Sequence, residues 1–179
     1  MHCRIPTLVS CFFLGLAALA ANAQMGLRSD GLLFPDGSVQ TTAGGPRAYY
    51  LSSTLVAATS APTACAPGFH MASLFEIFDV SNLRYATEEP DALTDDDTGQ
   101  GPPSGASGWI RTGGPSVSSS APGYANCLAW TSSSGSERGS TVWLFALWNQ
   151  TTATGLEPWV ADTWACNNTM RVWCVQDLS

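Results

Sequence analysis

The chain has 179 residues and carries 14 acidic against 7 basic side chains, for a net charge of −7. That balance disfavours nucleic acid as a partner, because phosphate binding needs a basic surface. None of the basic residues is a lysine, which excludes Schiff-base chemistry and a lysine-based phosphate cradle.

Residues 1–23 read as a cleaved secretory signal. Arg4 gives a basic start, Leu8 to Ala21 is apolar and uncharged, and Ala21-Asn22-Ala23 has the small-x-small pattern of a cleavage site. The apolar run is shorter than the roughly 20 residues of a bilayer span, so no membrane span is expected. The mature protein is therefore expected to be secreted to the extracellular side, the cell surface and the periplasm being the alternative settings. Cys3 and Cys11 leave with the signal, and the four cysteines that remain fit a disulfide framework in an exported chain.

Residues 24–46 form a separate arm. The turns Asp30-Gly31 and Asp36-Gly37 flank apolar Leu32, Leu33 and Phe34, and Gly44-Gly45-Pro46 breaks the chain behind them. The string FPDGSVQTTA resembles stalk and neck segments of phage tail fibres and bacterial surface proteins. That resemblance implies association, with a homo-oligomer, as in a trimeric fibre, built through 24–46; the other reading is an arm packed on its own domain.

Residues 47–179 make the main domain. Ala48 to Ala58 is apolar and β-prone and is expected as its first strand, followed by a turn at Ala61 to Gly68 that carries Cys65. Ser73-Leu74-Phe75-Glu76 is a capping box, so a helix starts there and runs to about Leu83, with Leu74, Phe75, Ile77 and Phe78 as its apolar face. Thr87 to Gly108 reads as an acidic loop. Its carboxylates Glu88, Glu89, Asp91, Asp95, Asp96 and Asp97 have no basic neighbour in the loop, so they are expected to be solvated or to hold a cation. Calcium suits such oxygen clusters, with Asp91, Asp95, Asp96 and Asp97 as candidate ligands. Glu88, Glu89 and Asp91 could alternatively supply the carboxylate pair of a hydrolase, the lowest-ranked reading.

Trp109-Ile110-Arg111 reads as a buried strand and Asn126 to Thr131 as another, with Leu128 and Trp130 on one face. A polar turn, Ser132 to Gly139, leads to a strand from Thr141 to Trp148. The last stretch, Trp159 to Gln176, holds Cys166 and Cys174, and Met170, Val172 and Cys174 alternate with Thr169, Arg171 and Trp173 as in a strand. The two cysteines lie on a hairpin or strand end and are expected to bond Cys65 and Cys127 rather than each other. Short strands, long loops and one or two helices give an α+β class.

Cys65 before the helix, the Trp109-Ile110 strand, Cys127, the tryptophan-rich approach to Cys166 and the final Cys174 together resemble the C-type lectin-like domain family. The resemblance spans Tyr49 to Asp177, and NCLAWTSSSG followed by Cys-Val-Gln is similar to its bacterial branch. It implies short antiparallel strands, long loops, and nested bridges Cys65–Cys174 and Cys127–Cys166, one of three connectivities that four cysteines allow. It also implies a non-catalytic recognition module that binds a glycan or a protein surface, as an adhesin does. The family's calcium-site triplets are not matched: Gly113 to Ala125 holds no carboxylate, and Trp159-Val160-Ala161-Asp162 lacks the asparagine, leaving Asp162 as the candidate there. Binding is then expected on the loops Gly113 to Ala125 and Trp148 to Pro158, with Trp148, Asn149, Gln150 and Asp162 as candidate ligand contacts. Of the other tryptophans, most are expected inside. His70, alone in an apolar context, is expected to be structural.

Overall fold

The computed structural model describes residues 26–28, 31–33, 39–40, 46–96, 99, 101–114, 118–147 and 159–178, those before residue 46 as backbone only. The signal segment 1–23 lies outside them. Contacts divide the chain into Met1–Ala43 and Gly44–Ser179.

In the first unit three short strands, β1 (Gly26–Arg28), β2 (Gly31–Leu33) and β3 (Val39–Gln40), form a meander. Leu27 lies opposite Leu32, and Leu33 opposite Val39.

The second unit contains β4 (Arg47–Leu51), β5 (Val56–Ala57), β6 (Phe69–Met71), helix α1 (Leu74–Phe78), β7 (Leu83–Tyr85), β8 (Ser107–Trp109), β9 (Arg138–Leu144), β10 (Trp159–Ala165) and β11 (Thr169–Gln176). The sheet order is β10-β9-β8-β11-β4-β7, and β5 and β6 also pair with β11. Eight residues of β11 thus meet four strands: Cys174 lies opposite both Tyr50 and Met71, Met170 opposite Val56, and Val172 beside Trp109 in parallel register. A strand flanked on both edges and both faces reads as a nearly continuous apolar run. Val172 and Cys174 feed one core with Tyr50, Met71, Trp109 and Trp130; Trp173 and Val175 feed the other with Leu51, Ile77, Ile110, Val142 and Leu144.

The α+β class holds, with bridges Cys65–Cys174 and Cys127–Cys166 spanning 109 and 39 positions. On a loop-entropy model these remove roughly 4.7 and roughly 4 kcal/mol of unfolded-state freedom. Not all pairings are antiparallel, since β4–β7 and β8–β11 are parallel. Nor do Cys166 and Cys174 share a hairpin: β10 pairs with β9, while β11 crosses to the sheet centre.

Five local expectations give way. The strand expected over Trp109-Ile110-Arg111 lies earlier, at Ser107–Trp109, so the loop expected to run to Gly108 ends before it and Arg111 is exposed beyond the strand. The strand expected over Ala48 to Ala58 is broken at Ser52 to Leu55, because hydroxyls there bind locally: Ser52 Oγ donates to Thr54 O, and Ser53 and Thr54 hydroxyls donate to Asp91 Oδ1. Helix α1 keeps its capping box but ends at Phe78, where Asp79 accepts from the Ser81 amide and hydroxyl and starts a 3-10 turn at Val80–Asn82. The strand expected over Thr141 to Trp148 begins earlier and ends earlier, as Arg138–Leu144. Asn126 to Thr131 is no strand. Cys127, Leu128, Ala129 and Trp130 have φ of 50°, 52°, 56° and 64°, a left-handed turn of four non-glycine residues.

Candidate functional site

That left-handed turn is held from several directions. Asn126 Oδ1 accepts from the Ala129 amide at 3.0 Å, the Trp130 amide donates to Asn126 O at 2.7 Å, and Cys127 is bridged to Cys166. Left-handed backbone costs a non-glycine residue roughly 1–2 kcal/mol, so the turn persists only because these anchors over-determine it. Gly139 of β9 makes room for it: a Cβ there would sit 2.7 Å from Cys127 Sγ and 2.8 Å from the Trp109 ring.

Beyond the bridge, β9 and β10 present a face of their own. Along β10 exposure alternates, with Val160, Asp162 and Trp164 outward. The register sets Val160 opposite Trp143, Asp162 opposite Thr141 and Trp164 opposite Gly139, so Val160, Asp162, Trp164 and Trp143 share one side of the pair, with the buried Thr141 and the covered Gly139 between and beside them. Trp143 is 39% exposed and Trp164 46% exposed. Trp143 stacks on Phe145, ring centroids 4.7 Å apart, and the Val160–Trp164 spacing extends the face by about 13 Å along the edge strand. Trp164 also walls a cavity of about 260 Å³ with Leu55, Ser107, Asn168, Thr169 and Met170. Aromatic planes beside hydroxyls and an amide form the surface a saccharide needs: apolar C–H faces stack on the rings while its hydroxyls exchange hydrogen bonds at the rim. Two tryptophans expected inside are therefore at the surface. Trp164 stands on β10, an edge strand of the sheet, and Trp143 on its neighbour β9.

Trp148, Asn149 and Gln150 lie outside the described residues, as do 151–158. Asp162 is placed on the aromatic face between Val160 and Trp164, where its carboxylate accepts from the Thr163 amide at 2.7 Å. The acidic loop is tied down more than its sequence suggests. Arg84, four residues before Glu88 and on β7, holds that carboxylate through both Nη atoms, and Asp91 Oδ1 accepts from the Ser53 and Thr54 hydroxyls at 2.6 and 2.8 Å and from the Thr54 amide. The expectation of no basic neighbour thus fails, because β7 brings Arg84 to the loop. Asp97 lies outside the described residues; Asp95 is exposed and Asp96 half-buried. Among the described residues no group of three His, Cys, Asp or Glu side chains is arranged to hold a metal ion.

A second polar cluster joins the chain's distant parts. His70 Nδ1 lies 2.6 Å from Asp177 Oδ1 and its Nε2 3.2 Å from Glu76 Oε1, so both ring nitrogens are engaged. Burial alone would raise the Glu76 carboxyl. The Ser73 amide and hydroxyl, the Arg47 guanidinium and His70 outweigh it and hold it down to about 2. Arg47 also donates to the Gln176 carbonyl. This cluster clamps β4, β6, α1 and the end of β11, a structural task.

Sequence reading missed the Trp143–Trp164 face because the alternation in Trp159 to Ala165 is weak: Ala161, Thr163 and Ala165 are small, and only Asp162 marks the outward side. No family model, curated protein or solved structure matches the chain. Among the described residues no helix is long and apolar enough to cross a membrane.

Proposed function

We propose that this is a secreted, lectin-like recognition module that binds a glycan on the outer face of β9 and β10, without catalysing a reaction. One observation carries the reading: Trp143, stacked on Phe145, and Trp164, at the lip of a cavity lined by Ser107, Asn168 and Thr169, stand exposed on a single face of a disulfide-anchored strand pair. Exposed tryptophan in such number is costly for a monomeric surface unless it has a partner. Asp162 on the same face supplies one acceptor for sugar hydroxyls, or one oxygen toward a calcium ion shared with the ligand.

The test is a glycan array probed with the mature protein in calcium and again in chelator, with Trp164→Ala and Trp143→Ala alongside. Hits lost in both variants support the reading. Hits that both variants retain, or no hits in either condition, move the ligand to a protein surface or to another face. Hits lost on chelation make calcium part of the site.

A second reading rests on the β1–β3 meander. Strands of two and three residues are marginal alone and gain stability by packing on something. If that is another copy, the main domain caps a fibre-like assembly and weak sites gain avidity. Light scattering on the mature protein with and without 24–46 tests it: a monomer in both removes the reading.

A further inference from the structure

We propose that two adjoining cavities that meet at Arg111 form one cleft for a carboxylate carried next to an apolar group. Each holds about 450 Å³, and Arg111, Thr112 and Gly114 line both. The first is walled by Leu74, Phe75 and Tyr124, with Phe75 81% and Tyr124 45% exposed. The second is walled by Pro62, Asn126, Ala129 and Trp130, so the left-handed turn forms its side.

Charge picks the ligand. Acidic side chains outnumber basic ones two to one in this chain, yet among the described residues no carboxylate lines either cavity, and the connecting sequence from Thr112 to Asn126 contains none. Among the described residues the Arg111 side chain has no hydrogen-bond or ion-pair partner, whereas Arg47 and Arg84 are both paired with glutamates. Glu76, the one carboxylate on α1, is taken up by Arg47, His70 and Ser73. A guanidinium offers a planar fork that a carboxylate meets with two parallel hydrogen bonds. The backbone under it is fixed, since its amide donates to Ala72 O and its carbonyl accepts from the Leu74 amide. The exposed Phe75 and Tyr124 then take the apolar part of the ligand, which fits a peptide ending in a large apolar residue or a free apolar acid.

The experiment titrates the mature protein with N-acetyl-phenylalanine, its uncharged amide, and hexanoate, following tryptophan fluorescence and two-dimensional NMR shifts. N-acetyl-phenylalanine is expected to bind at least tenfold more tightly than the amide, with shifts centred on Thr112, Gly114 and Trp130. Arg111→Gln removes that preference, Arg111→Lys restores part of it, and Arg138→Gln on β9 leaves it intact, with melting temperatures alike in all three. Tighter binding of N-acetyl-phenylalanine than of hexanoate assigns the site to a peptide terminus, and the reverse order to a free acid. Equal binding of acid and amide, an unchanged preference in Arg111→Gln, or no shift with any probe at millimolar concentration overturns the proposal. None of these outcomes bears on the β9–β10 face, whose variants are separate.

Discussion

The two disulfides anchor regions of different character. Around Cys65–Cys174 the domain is closed on itself: β11 is paired on both edges, Trp173 is fully buried, and the Arg47–Glu76–His70–Asp177 cluster ties the first strand to the last. Around Cys127–Cys166 four non-glycine residues take left-handed backbone, and Trp143 and Trp164 on the neighbouring strands are partly exposed. In the first region strand pairing converges on β11, whose inward side chains enter both core clusters. The second uses its bridge to hold a shape that local preference opposes, which is how recognition surfaces are commonly kept in a sparsely populated conformation.

Breaking the closed region has the largest expected effect. Trp173→Ala removes a buried ring and its Nε1–H bond to Val142 O, at a cost of about 3–5 kcal/mol, and secreted yield or thermal melting should show loss of the folded domain. Next is Gly139→Ala at the joint between the regions. Its Cβ meets a bridged sulfur and a buried ring that cannot yield, and chemical denaturation should report about 1–3 kcal/mol of destabilisation.

The closed region should also weaken in acid. The Glu76 carboxyl takes a proton near 4.5 when unfolded but only at about 2 when folded. Below 4.5 the unfolded state binds more protons, so the Glu76 contribution, complete above that pH, falls away between 4.5 and 2. Melting temperatures across that window should drop in the wild type and drop less steeply in Glu76→Gln. Equal slopes would remove the clamp from the account of stability.

The smallest effects belong to the second region. Trp164→Ala should leave the melting temperature within a few degrees while abolishing ligand capture, since an exposed ring contributes little to the fold. Ala129→Gly should stabilise by about 0.5–1 kcal/mol, because Ala129 is exposed at φ 56° and glycine bears that conformation without penalty. A destabilised Ala129→Gly would mean the turn is not strained.

This asymmetry explains what could be read from residues alone. The Ser73–Glu76 capping box, the Trp109 strand and the apolar β11 announce themselves by pattern, and all belong to or border the closed region, where local preference and final structure agree. Cys127 to Trp130 misleads for the opposite reason: Cys-Leu-Ala-Trp has the composition of a strand, and only a distant cysteine, a glycine on another strand and an asparagine side chain bend it left-handed. The alliance of His70 with Asp177 was equally invisible, since 107 positions separate them. Arg111 was read as the end of a buried strand, whereas β8 stops at Trp109 and leaves Arg111 exposed, and its lack of a partner among the described residues was not legible because pairing is decided by loops that carry no carboxylate.

The place of β11 sets an order of events. Every other strand of the main sheet precedes it in the chain, yet four of them pair directly with it. Until Thr169 to Gln176 is free to move, β4, β5, β6 and β8 lack their common neighbour and Cys65 lacks its sulfur partner. Such pairings at long separation form slowly, so closure of the main sheet around β11 and of the Cys65–Cys174 bridge waits on the last strand. Oxidation of the outer bridge is then a late step that completes the sheet, whereas Cys127 and Cys166 both precede β11 and their bridge does not wait for it.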